Sequence, residues 1–148
     1  MAAAPQYGKQ YIRFAESALV ADNLAIPQFR VVQVTGTTDP ASITNVFAGA
    51  AAAAQVGLGV IQQEFNTTAS GLGTDLLRLA TVATSGLLLI EQDAANALAA
   101  GDVLTIDAEG RASNAAATAY APTFNGGSGI VRQVVTIGGG NFALVSIS

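Results

Sequence analysis

The residues best equipped for chemistry in this chain are acids, and they crowd into one stretch. Residues 99–113 read AAGDVLTIDAEGRAS and hold Asp102, Asp107, Glu109 and Arg111 around two glycines. Asp107, Glu109 and Gly110 follow the opening of a calcium loop, which alternates acidic oxygens and then places a glycine. Such a loop also needs further oxygen ligands and a late bidentate glutamate. After Gly110 come Arg111, Ala112 and Ser113, with no further acid. The stretch therefore reads as strand and turn: Asp102 accepts turn N–H groups, and Gly110 supplies the positive φ that a tight turn requires. A second pair, Glu91 and Asp93, has the separation of two carboxylates in acid–base work. It sits at a strand end without an aromatic platform nearby in sequence, and reads as solvated strand-end charge.

What is missing narrows the chemistry further. The chain has no histidine and no cysteine. A Ser-His-Asp triad and the usual zinc sites are excluded, and there is no disulfide framework. The runs GLGTD, GGSG and GGG lack the strand–loop–helix setting and the lysine of a phosphate loop. AGDVL followed by a turn has the look of a lipoyl or biotinyl carrier hairpin, but the turn DAEGR holds no lysine to carry the group. Asn66-Thr67-Thr68 is a formal glycosylation sequon. The expectation is a protein without metal or cofactor that is not an enzyme; a small hydrolase built on a carboxylate pair is the weakest alternative.

Composition points outward instead. Of 148 residues 51% are hydrophobic and only 11% charged, against about 25% in an ordinary soluble domain. A charge-poor surface is one that partners cover. The net charge is −4, the only lysine is Lys9 and the arginines are scattered. No basic stripe exists to neutralise phosphates, and no basic amphipathic face to meet anionic lipid. The N-terminus, MAAAPQYGKQYIRF, lacks the charged start and apolar run of a secretory signal. No charge occurs between Asp39 and Glu64, but Pro40, Asn45, Gln55, Gln62 and Gln63 interrupt that segment, so it does not read as a membrane span.

The elements that must position these residues are strands. FRVVQVT (29–35), VGLGVIQQEF (56–65), DLLRLATVAT (75–84), SGLLLIEQ (85–92) and VLTID (103–107) are each bounded by turn residues. IVRQVVTI, GGGN and FALVSIS form a hairpin signal at 130–148. Residues 43–55 are ambiguous between a turn or two of helix and a small-residue loop. AANALAAG (94–101) reads as a short helix or a wide turn, and 112–129 as a long loop. The whole is an all-β chain, a small barrel or sandwich of short antiparallel strands, over residues 29–148. Residues 1–28 stand apart as an N-terminal arm or outlying element. Within them FAESALVAD is either a short helix or part of a strand starting at Tyr11.

The order FRVVQVTG, VGLGVIQQ, LLRLATVATSGLLLIEQDAANALAAGDVLTIDAEGRAS resembles the small capsid cement proteins of tailed bacteriophages, also called head decoration proteins. The resemblance spans residues 29–113 and the C-terminal hairpin, and is most specific from Ala100 to Ala112. It implies a structural virion protein on the outer surface of an icosahedral capsid. Its implied partners are the major capsid protein and neighbouring copies of itself, with a homotrimer favoured. Nucleic acid and membrane are not among them. The rival class is a non-viral self-assembling surface or filament subunit. The candidate interface residues are Tyr7, Tyr11, Arg13 and Phe14, an aromatic–arginine cluster of the kind enriched in interface hot spots. They either lie across a neighbouring subunit or cap the open end of the barrel.

Overall fold

One long strand organises the molecule. The computed structural model describes residues 10–20, 25–35, 42–45, 47, 56–66, 79–115, 121–124 and 127–148. Its strands are β1 (Tyr11–Val20), β2 (Ala25–Ile26), β3 (Val31–Thr35), β4 (Ser42–Thr44), β5 (Gly59–Ile61), β6 (Phe65–Asn66), β7 (Leu79–Glu91), β8 (Thr123–Phe124), β9 (Gly127–Ser128), β10 (Ile130–Ile137) and β11 (Gly140–Ile147). Among the described residues the only helical element is a 3-10 turn at Ala94–Asn96. The chain is all-β.

The main sheet runs β1-β4-β3-β5-β7-β11-β10, and β1 pairs again with β7. The hydrogen bonds thus close a circuit of five strands, from which β11 and β10 extend. The thirteen residues of β7 serve both parts. Its first half is flanked by β1 (Ala15↔Ala83, Ala18↔Ala80) and β5 (Val60↔Ala83), and its second half by β11 (Leu144↔Leu89).

Two cores follow from strand alternation. Successive strand side chains point to opposite faces, and here both faces are covered. Val31, Val60 and Ala83 join the larger cluster with Phe29, Leu104, Ile106 and Val145. Their neighbours Val32, Ile61 and Val82 join a smaller one inside the circuit, with Val20, Ile26, Ile43 and Ala80. Phe29, at φ 64, is the junction. Its N–H donates to the Ile61 carbonyl, its carbonyl accepts from Glu91 N–H, and its ring meets Phe142 edge-on at 5.8 Å. Positive φ is costly for a bulky residue, and these three contacts hold it there.

Several elements differ from their sequence reading. The two strands expected at 75–84 and 85–92 are one strand from Leu79, residues 75–78 lying outside the described residues. Ser85-Gly86 looks like a break, but Gly86 takes φ +127 and lets the backbone of β1 approach; a Cβ there would stand 2.2 Å from the Tyr11 carbonyl oxygen. VGLGVIQQEF is not one strand but β5 and β6, with Val56 bridging Thr123. Gly57 packs under the Phe124 ring and Gly59 against the Ala83 carbonyl, approaches that no side chain permits. VLTID makes isolated bridges at Val103 and Ile106 rather than a ladder, although Leu104 and Ile106 are fully buried as a strand would have them. The loop 112–129 contains the small hairpin β8–β9. Residues 43–44 belong to β4, and 46 and 48–55 lie outside the described residues, as do Thr67 and Thr68.

Of the outlying element expected at 1–28, residues 1–9 and 21–24 are not among the described ones. Residues 11–20 form the strand alternative rather than the helix. They are laddered to β7, and Val20 and Ile26 enter the smaller core.

Candidate functional site

The acidic stretch 99–113 spends its polar groups on itself. Asp107 is buried, and its Oδ1 accepts the N–H groups of Glu109 (2.9 Å) and Arg111 (3.0 Å). Its Oδ2 accepts Arg111 Nε at 2.8 Å. Arg111 also lies 3.5 Å from Glu109. Partial burial works against the Arg111 charge, but the bond and charge of Asp107 and the charges of Glu109 and Asp93 outweigh it, so its pKa rises. Asp102 accepts the N–H of Ala99 at 2.8 Å and closes the preceding turn.

The turn in turn anchors the rest of the fold. The Glu109 carbonyl accepts Arg30 Nη1 (3.2 Å) and Asn45 Nδ2 (2.9 Å). The carbonyls of Gly110 and Ala108 accept the N–H groups of Val31 and Phe47. Gly110 has φ +79, and a Cβ there would stand 2.4 Å from the Val31 carbonyl oxygen. The turn is therefore a clasp between β3, β4 and the end of β7.

Glu91 and Asp93 do not form a carboxylate pair. Glu91 bonds Arg30 Nε at 3.1 Å. Asp93 caps the 3-10 turn, accepting from Ala95 N–H and Asn96 Nδ2. The Asn96 amide is the main reason its pKa is lowered; burial opposes this, and Ala95, Arg111 and Ser113 add to it.

The open chemistry is on β1. Tyr11 is 69% exposed, Phe14 61% and Ile12 42%, although all three lie in a hydrogen-bonded strand. The register slips on either side of Phe14, and Thr84 Oγ1 donates to the Phe14 carbonyl. The Arg13 guanidinium carbon sits 5.4 Å from the Phe14 ring centroid, within cation–π range. Arg13 and Phe14 are thus brought together; Tyr11 pairs with Leu87; Tyr7 lies outside the described residues. β1 is fixed at its start by Gln10, whose Oε1 accepts Leu89 N–H (3.0 Å) and whose Nε2 donates to Gln62 (2.7 Å).

The chain matches no known protein family, no characterised protein and no solved structure.

Beside β1 runs a groove that the sequence reading missed. One part, of about 360 Å³, is lined by Ala15, Glu16, Val34, Val56, Gly57, Leu58 and Thr84. The adjoining part, of about 250 Å³, shares Glu16, Val34 and Leu58 and adds Ala18, Ile43 and Leu79. Val34, Val56 and Leu79 are exposed apolar residues. In FRVVQVT nothing separates Val34 from its buried neighbours, because alternation marks a face and not whether that face is covered. Glu16 was legible only as a lone acid between alanine and serine.

Proposed function

We propose that this chain is a structural protein of a virion, one that binds the outer surface of an icosahedral bacteriophage capsid and stabilises it. The major capsid protein and further copies of the chain, in a trimer, are its partners in this reading. The observation that carries it is the contrast just described: the acids and arginines of the clasp are satisfied within the chain, whereas aromatic and aliphatic side chains stand open on β1. Chemistry turned inward and apolar surface turned outward suit a binding module better than an enzyme. The order of the sequence stretches FRVVQVTG and VGLGVIQQ and the segment Ala100–Ala112, which resemble cement proteins, support the same reading. Two cores locked by one strand and one clasp suit a part that must not deform when a shell is under load.

The test uses undecorated shells assembled from the major capsid protein encoded alongside this chain. The full-length chain should co-sediment with them saturably and raise the temperature at which they break. Absence from the pellet, or binding without any gain in shell stability, overturns the proposal.

A further inference from the structure

β10 ends the main sheet at one margin, where β11 is its only laddered neighbour among the described residues. Its first residues are covered on the outer side all the same. The Gly129 carbonyl accepts Leu104 N–H, and Val131 bonds Gly101 and Asp102. From Gln133 to Ile137 no described residue bonds the outer edge of the backbone. The hairpin fixes which groups point that way. Ile137 and Gly140 flank a two-residue turn, Gly138-Gly139, with both glycines at positive φ. In such a hairpin the flanking residues bond each other, and bonded and non-bonded pairs alternate from there. Val135 with Phe142 and Gln133 with Leu144 are therefore bonded pairs. Val134 and Thr136, opposite Ala143 and Asn141, turn their N–H and C=O groups away from β11, and their side chains are exposed. The Asn141 carbonyl accepts Gln92 N–H on the β7 side, as this alternation requires.

We infer that β10 pairs antiparallel with β10 of a second copy, about a two-fold axis at Val135. In that register Val134 of each copy bonds Thr136 of the other, and the two main sheets become one. A row of unpaired backbone groups is a template for another strand, and β10 itself fits it. Residues 133–137 read QVVTI, with strand formers and neither charge nor proline. Their register with β11 is unbroken, since the slip lies before Gln133. The axis at Val135 sends the two Arg132 side chains to opposite ends of the pair, roughly 20 Å apart at the strand rise. That exceeds the screening length of about 8 Å, so two copies meet without opposed charges. β1 also has an outer side, joined to β4 only at Leu19 and Val20 among the described residues, but it slips register on either side of Phe14 and carries Arg13 and Glu16. Bulges and charges are what blunt an edge. The same patch serves on both copies, so the contact closes as a dimer.

This contact is separate from the trimer and the shell binding proposed above, and its readout needs neither. The full-length chain is followed in free solution from low micromolar to about millimolar concentration, the range of weak interfaces, by sedimentation velocity and by hydrogen exchange at single amides. A reversible dimer should form. As it fills, the Val134 and Thr136 amides should gain protection, whereas those of Gln133, Val135 and Ile137 are protected at every concentration. Thr136→Pro removes an outward N–H but no bond to β11, a place where an edge strand tolerates proline. It should weaken the dimer by roughly tenfold or more. V134K/T136K sets lysines against lysines across the axis and should weaken it likewise; V134K/T136E sets opposite charges there and should pair more tightly than the two-lysine variant. The lysine variants serve if the proline disturbs folding, which the melting temperature checks. A wild-type chain that stays monomeric throughout overturns the inference. So does association that leaves the Val134 and Thr136 amides unprotected, or protection that comes only when capsid shells are added, which would put a strand of the capsid protein on this edge. Folded T136P that dimerises like wild type, or folded V134K/T136E that pairs no better than V134K/T136K, overturns it as well.

Discussion

The clasp at 107–111 and the strand β1 use the same kinds of residue to opposite ends. Both contain arginine, glutamate and a bond to a neighbouring strand. In the clasp Asp107 accepts three hydrogen bonds and the surrounding carbonyls accept four more, so the turn's polar groups are tied into the fold. On β1 from Tyr11 to Glu16 the backbone is laddered to β7 while the side chains stand exposed. Tyr11, Ile12, Phe14 and Glu16 contribute little to a core. The difference teaches that local charge density marks structural turns in this chain, and that charge scarcity with exposed apolar side chains marks the surface left for partners.

The comparison breaks most sharply at Asp107. Replacing it with alanine removes the acceptor of two part-buried turn N–H groups and leaves the Arg111 guanidinium only its longer contact with Glu109. Leaving buried donors and a charge unpaired costs about 3 kcal/mol. The midpoint of thermal unfolding should then fall by roughly 6–12 °C for a chain of this size. Asp107→Asn, which keeps one acceptor oxygen, should fall less. If D107A melts like wild type, the clasp is decoration and the contrast fails.

Gln10 marks the boundary between the two regimes. It follows the last described residue of β1 toward the N-terminus, yet its side chain stands in for a strand and satisfies Leu89 N–H within the larger core. Gln10→Ala should cost about 1–2 kcal/mol, the penalty for a stranded buried donor. Hydrogen exchange at the Leu89 amide should quicken in the same variant. Unchanged exchange there would place the start of β1 outside the cooperative fold.

What the sequence allowed to be read follows the same division. The clasp, the C-terminal hairpin and the burial of Leu104 and Ile106 were legible because turn residues and alternation act locally. Gly86 was misread because SG signals a break wherever the chain must turn, and only the approach of Tyr11 shows that it is a bend within a continuous strand. The second half of β1 was ambiguous because AESALV satisfies helical and strand periods alike, and pairing with β7 across more than sixty residues decides it. Val34 and Glu16 were invisible as a site because a groove is a relation between strands that the sequence separates.

Removing the open aromatics sharpens the comparison. Tyr11→Ser and Phe14→Ser take away side chains that already lie mostly in solvent. Such surface changes move stability by about 0.5 kcal/mol or less. Shell binding, by contrast, should drop strongly in the double variant, since exposed aromatic anchors dominate interface energies. Equal loss of stability and binding would mean that these residues belong to the fold and not to a surface held for a partner.

The smallest effect lies at Asp93, which shares features of both regions: its carboxylate is used by the chain, yet it stands partly in solvent. The Asn96 amide, with Ala95 N–H and the charge of Arg111, holds its pKa below the ordinary aspartate value despite some burial. A carboxyl whose folded pKa is depressed stabilises the protein above its unfolded pKa, and that contribution disappears as pH falls through the folded pKa. Solvent screening keeps it small. Asp93→Asn preserves an acceptor for the cap while removing the charge, so comparing denaturant midpoints isolates the ionised form. The gap between wild type and D93N should be constant from neutral pH down to about pH 5 and should close below roughly pH 4, where the unfolded carboxyl takes up its proton. A gap that instead widens on acidification would mean that the carboxyl is raised, not lowered, in the folded chain, and that Arg111 is held by the clasp alone.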